Sequence, residues 1–179
     1  RTEDLFLDWI GSALASQGAR PVPLFERYAE RMGPADLAAR ILVSGRGTSA
    51  HFAAFVNGAS SHLVEQDDLH NSSVLHPATV VFSAVLAAAQ DLGKSGKDLL
   101  LASVAGYEAG IRIGEFLGRS HYRIFQTTAT GDTLAAAVGV GKLLVGETEQ
   151  LRKRRGREGK KEEGRGEFLR EAADSKQGQ

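Results

Sequence analysis

Between Asn57 and Pro77 the chain reads NGASSHLVEQDDLHNSSVLHP, placing three of its five histidines and three carboxylates within fifteen residues, His62 to His76. The histidines are His62, His70 and His76; the acids are Glu65, Asp67 and Asp68. Imidazole and carboxylate can share the base and acid roles near neutral pH, so proton transfer is the first chemistry this cluster offers. Metal ligation is the second, since His62, Glu65, Asp67, His70 and His76 are all ligand types. No spacing here is as specific as H-E-x-x-H, and no metal or other cofactor is expected. A plain solvated loop between helices would also hold such residues.

The flanking segments must position that stretch. Leu5, Phe6, Trp9, Ile10, Ala13 and Leu14 form the apolar stripe of an amphipathic helix over 3–15, with Thr2 as its expected cap. Leu24, Phe25, Tyr28 and Met32 predict a shorter helix, begun by Pro23 and ended by Gly33-Pro34. Ile41–Ser44, short and bounded by glycines, reads as extended. Thr48 or Ser49 then caps a helix to about Leu63 that carries Asn57 and His62. Pro77 suits a helix start, which puts His76 at the entrance of a helix over 78–91, where backbone N–H groups favour an anion.

Ser95-Gly96-Lys97-Asp98 is a capping box opening a helix from about 97 to 117. Ala102, Gly106, Gly110, Gly114 and Gly118 recur every four residues on it, a smooth strip against which another backbone can pack. Arg112 is spaced to pair with Glu108 or Glu115. Residues 119–133, with His121 and Gln126, read as a second polar interruption before the small-residue helix LAAAVGVGKLLVG. The resulting expectation is an all-α, closely packed helical domain over 1–150.

Composition narrows the class. The chain has 179 residues, no cysteine and a formal charge of zero, so disulfides, thiolate chemistry and a global field for nucleic acid are excluded. No apolar run reaches the roughly 20 residues that span a bilayer. Neither nucleic acid nor membrane is therefore expected as a partner, and a reducing cytoplasm is the expected setting. The zero charge conceals a split: residues 1–150 carry 12 basic and 16 acidic groups, residues 151–179 carry 10 and 6. The latter segment, with one Phe and two Leu as its large apolar residues, is expected to be a disordered charged tail. An opening on Arg1 inside a helical pattern, and a composition change after Leu151, are what a truncated fragment would show.

Three segments together resemble the MmgE/PrpD family, whose members include 2-methylcitrate dehydratase and cis-aconitate decarboxylase. They are NGASSHLVEQDDLHNSSVLHP (57–77), AGYEAGIRIGEFLG (105–118) and HYRIFQTTATGDTLAAAVGVGKLLVG (121–146). The resemblance implies the helical domain of a usually homodimeric enzyme, joined in full-length members to a smaller α+β lid. It further implies cofactor-independent chemistry on a small di- or tricarboxylate.

Carried over position by position, His76 falls on a catalytic His, with Asp67 and Asp68 on the paired acids that orient or partner it. Glu65, His62, His70, Gln126 and Thr128 are expected to line the site and bind substrate. Leu69 stands where many members have a substrate-contacting Thr. Gln126 stands where the family has a second active-site His; an amide hydrogen-bonds but exchanges no proton at neutral pH. The implied reaction is elimination of water from a hydroxy di- or tricarboxylate by general acid–base catalysis. Gln126, Leu69 and a charged tail where full-length members continue into the lid support an alternative, an inactive homologue or a helical interaction and dimerisation module. Decarboxylation, epimerisation and metal binding are further, less favoured readings.

Overall fold

The computed structural model describes residues 1–145; the predicted tail 151–179 lies outside the described residues. Five helices run α1 Thr2–Ala15, α2 Val22–Met32, α3 Ala50–His62, α4 Pro77–Asp91 and α5 Gly96–Tyr122. A sixth, α6, covers 127–145. Two short strands, β1 Ala35–Arg40 and β2 Gly47–Thr48, form an antiparallel pair.

The domain is therefore mostly helical rather than all-α. The extended segment lies just before the predicted one, and Ile41–Ser44 forms the turn between the strands. Polar side chains from the helices decide this, not β propensity. Asn57 Oδ1 accepts from the Leu42 amide at 2.8 Å, and its Nδ2 donates to the Arg40 carbonyl at 2.9 Å. Gln90 Oε1 accepts from the Arg40 amide at 2.9 Å, and Ile41 buries beside Ala29 and Val56.

Helix α4 is the centre of the domain. One face packs Val81, Val85, Ala88 and Ala89 against Leu99 and Ala102 of α5 and Ala135 and Leu143 of α6. Another packs Ala78 and Phe82 on Trp9 of α1, with Phe6 and Tyr107 closing the aromatic cluster. Trp9 and Phe82 are fully buried, each contributing on the order of 2–3 kcal/mol of apolar burial.

Two spacings explain how closely the helices approach. At Gly58 of α3 a Cβ would stand 3.2 Å from the Thr79 carbonyl oxygen, so the Asn57-Gly58 pair both ties down the strand and lets α4 in. Thr79 Oγ1 donates to the Gly58 carbonyl at 2.8 Å, and Ser61 and Thr79 hydroxyls meet at 2.9 Å. The four-residue strip on α5 also does what its spacing predicts. A Cβ on Gly106 would meet Val81 and the Ala135 carbonyl, and one on Gly114 would meet Ser73 and Leu75. Gly118 departs from the strip: with φ 66° it kinks α5 and no atom crowds it.

Smaller expectations divide likewise. The capping box is present, with Ser95 Oγ accepting from the Asp98 amide and Asp98 accepting from Ser95. Arg112 pairs with Glu108. Thr2 is the first residue of α1 rather than its cap, because the helix extends one residue further and Arg1 takes the cap position. The polar interruption shrinks to 123–126, and Thr128, Gly131 and Asp132 lie inside α6. Among the described residues no helix is long and apolar enough to cross a membrane.

Candidate functional site

Helix α3 ends on His62, and the chain turns back through Glu65, a non-glycine residue at φ 51° whose amide bonds the His62 carbonyl at 3.2 Å. That reversal brings Asp67 beneath the histidine it follows. Pro77 then starts α4 and leaves His76 at the N-cap, at φ −110° and ψ 74°, outside helical space. Three separate backbone anchors thus converge. Asp67 Oδ2 lies 2.9 Å from His62 Nδ1 and 3.5 Å from His76 Nδ1, and the two imidazole centroids are 5.1 Å apart.

Burial in this trio is graded. The Asp67 side chain is 0% exposed, against 25% for His76 and 39% for His62. A buried carboxylate hydrogen-bonded to the His62 ring at 2.9 Å can hold that ring in a fixed tautomer. His62 lines a groove of about 620 Å3 between α3 and α4, together with Glu65, Phe55, Gly58, Thr79 and Ser83. The groove is mostly apolar, and no Lys or Arg among the described residues lines it.

The adjacent carboxylate faces elsewhere. Asp68 Oδ1 accepts from the Ala78 amide at 2.9 Å, so it caps α4 from a loop ten residues upstream while the His76 side chain makes no cap bond. The anion expected at this helix entrance is thus a side chain of the protein itself. Asp68 Oδ2 accepts from the Tyr107 hydroxyl at 2.9 Å. Burial nevertheless raises the Asp68 pKa against these two bonds, with Asp67 adding to the rise and His76 opposing it. The Tyr107 phenol is pushed far up by burial and by the Asp68 charge.

Behind this pair sits Asp132, fully buried on α6, with neither carboxylate oxygen hydrogen-bonded. Burial, then the Asp68 charge, raises its pKa to about 7. A Cβ at Gly110 would stand 2.7 Å from Asp132 Oδ1, so the α5 strip also makes room for this group. Tyr107 and Asp132 were legible as members of the second and third resembling segments, but not as parts of one buried cluster. A lone Asp inside a small-residue helix carries no signal of its own in one sequence.

Sequence and geometry now point to one family. The chain matches the MmgE/PrpD N-terminal domain over residues 1–179. It belongs to the MmgE/PrpD family. Among curated relatives, cis-aconitate decarboxylase of Aspergillus terreus is 35% identical over 153 residues, covering 80% of this chain and 31% of that protein. The cis-aconitate decarboxylase-like protein oryM of Aspergillus oryzae is 34% identical over 123 residues, covering 64% of this chain and 25% of that protein. The chain thus spans a third or less of the length of these relatives.

Within this MmgE/PrpD domain the expected site residues separate into groups. His62, Asp67 and His76 come together, with Asp68 directly behind them and Glu65 exposed at the groove. Thr128 Oγ1 accepts from the His76 amide at 3.1 Å and is buried, so it fixes the histidine's backbone. His70 turns to Ser73 Oγ at 2.8 Å and pairs by backbone with Leu75, and no bond joins it to the trio. Gln126 Oε1 accepts from the Ala129 amide at 3.3 Å, capping α6. His121 meets Thr130 and stacks on Phe125, and no contact joins it to His76. Leu69 is exposed.

Proposed function

We propose that this MmgE/PrpD domain carries the acid–base face of a lyase site for a small di- or tricarboxylate. The buried Asp67 carboxylate shared by His62 and His76, with His62 itself lining a groove, is the observation behind this reading. His76 is the proton carrier. Asp67 orients it, His62 and Glu65 line the substrate side, and Thr128 holds the backbone on which His76 sits. Asp68 belongs behind the reacting groups, holding the first turn of α4. The substrate class rests on the family and on the names of the relatives.

In elimination of water from a 2-methylcitrate-type hydroxy acid, a base removes the proton α to a carboxylate and an acid protonates the departing hydroxyl. The electrons of the C–H bond become the new C=C bond. A His pair bridged by one carboxylate can supply both proton steps, each worth about 10²- to 10⁴-fold. The relatives' names favour a second reaction at the same groups, loss of CO2 from cis-aconitate. There the C–C bonding electrons stay on the carbon skeleton, and one proton delivered to carbon completes the step. Gln126, spent on a helix cap, serves neither reaction as a proton carrier.

The same reading carries a homo-oligomer in the cytoplasm. Phe116 and Ile124 are 89% and 79% exposed, apolar surface of the kind that a second subunit covers.

Proton NMR of the purified chain with 2-methylcitrate, citrate and cis-aconitate, followed for a day, tests the proposal. An alkene signal from either hydroxy acid marks elimination, and consumption of cis-aconitate with release of CO2 marks decarboxylation. Turnover must disappear in His76→Ala. Silence from a folded chain would overturn the lyase reading in favour of an inactive helical module.

A further inference from the structure

The trio that the lyase reading treats as a proton carrier has a second capability. His62, Asp67 and His76 each offer one ligand atom, and all three atoms lie within 4.8 Å of one another. We propose that this trio binds one divalent transition ion of the zinc class, and that the ion and the proton relay compete for the same imidazole nitrogens. The competition clause rests on the lyase reading; the binding clause does not.

Distances support the binding clause. In a tetrahedral zinc site with bonds of about 2.0–2.1 Å, neighbouring ligand atoms stand roughly 3.3 Å apart. The two Nδ1-to-Oδ2 separations, 2.9 and 3.5 Å, bracket that value. The ligands come from the end of α3, a tight turn and the N-cap of α4, so no single flexible segment carries them all.

Unpartnered atoms point the same way. His76 Nδ1 is buried and makes no hydrogen bond, its nearest acceptor being the Asp67 oxygen at 3.5 Å. Asp67 Oδ1, in a side chain with no exposed surface, also lacks a partner. A buried polar atom left unpaired is destabilising, and a cation between the rings and the carboxylate would give both atoms a partner. Two imidazoles and one carboxylate suit zinc, cobalt, nickel or copper and not magnesium or calcium, which prefer all-oxygen shells. Both rings reach solvent, which leaves a fourth position for water or a carboxylate ligand from the groove.

The ion would occupy the Nδ1 lone pairs, moving the ring protons of neutral His62 and His76 to Nε2. In that tautomer neither ring can pass a proton through Nδ1, so occupancy silences the relay. Protonation of the imidazoles displaces the ion, so binding weakens as pH falls.

Isothermal calorimetry of the purified chain with zinc chloride, and separately with magnesium chloride, tests the site. One zinc per chain, no heat with magnesium, and affinity lowered roughly hundredfold or more in His62→Ala are expected. His51→Ala, which alters a histidine edge-on to Phe52 outside the trio, should bind zinc as the parent does. Nitrogen-15 spectra of the imidazoles should show His62 and His76 carrying their protons on Nε2 once zinc is added. No zinc heat from a folded chain, or binding unchanged in both His62→Ala and His76→Ala, overturns the proposal. Since the titration needs no substrate, its failure leaves the lyase reading standing, and a silent turnover assay leaves the metal site standing.

Discussion

Asp67 and Asp68 are neighbours in sequence, yet their carboxylates finish in opposite chemical settings. Asp67 meets two imidazoles that reach solvent, one of them (His62) lining a groove, and keeps one oxygen unpartnered. Asp68 meets a helix amide and a phenol, with a second buried acid, Asp132, behind it. Partners of the first kind exchange protons near neutral pH; partners of the second kind only donate hydrogen bonds. The turn at Glu65 and the start of α4 at Pro77 fix which residue faces which way. Side by side, the two acids separate a group that can do chemistry from one that holds the chemistry in place.

The largest expected effect tests the solvent-facing half. In the NMR assay Asp67→Asn and His76→Ala should each lower turnover by about 10²- to 10⁴-fold, equivalent to roughly 3–5 kcal/mol of barrier. Asp67→Asn should leave the thermal midpoint nearly unchanged, because an amide oxygen can still face His62. A variant that loses its fold and its turnover together would erase the distinction between the two acids.

Next comes the structural half. Asp68→Ala strands the Ala78 amide and the Tyr107 hydroxyl, each costing about 1–3 kcal/mol when left unpaired. Urea unfolding should therefore show a loss of roughly 2–6 kcal/mol. Asp68→Asn, which keeps an acceptor for one of the two donors, should recover about half of it. A loss no larger than that of Asp67→Asn would break the comparison from the other side.

Asp132 sharpens it through pH. Its pKa in the fold is raised from 3.8 to about 7, so between these values the native state holds a proton that the unfolded chain releases. Stability is then greatest below the unfolded value, falls as pH rises through this window and levels off above it. Asp132→Asn cannot ionise. At about 1.4 kcal/mol per pKa unit, it should gain roughly 2–4 kcal/mol on the parent between pH 4 and pH 8. Thermal midpoints at a few pH values would show the gap opening across that interval. A constant gap would mean that Asp132 is already ionised in the fold.

How much of this was legible depended on whether neighbours or distant elements decide a residue's setting. The capping box at Ser95 and the small-residue strip on α5 are local patterns, and both are present. His76 at a helix entrance follows from Pro77 alone. The strand was misplaced because Asn57 and Gln90, far along the chain, hold the backbone at Arg40 and Leu42. For the same reason the pairing of Asp68 with Tyr107, 39 residues away, and the burial of Asp132 beside Gly110 were out of reach. Gln126 could be recognised as unfit for proton transfer from its amide, but its cap on α6 could not, because Thr128 and Asp132 were read as loop.

The smallest effect concerns Thr128, which joins the two halves. Its hydroxyl accepts from the His76 amide across 52 residues, so α6 steadies the backbone of the proposed proton carrier. Thr128→Val keeps the shape and removes the acceptor, at a cost of about 1 kcal/mol in stability. Because the His76 ring keeps Asp67, turnover should fall only several-fold, far less than in His76→Ala. Thr128→Ser, which restores the hydroxyl, should return most of the lost turnover, measured in the same NMR assay. If valine instead matched His76→Ala in turnover at full stability, Thr128 would be touching substrate, and the boundary between the two halves would have to move to include it.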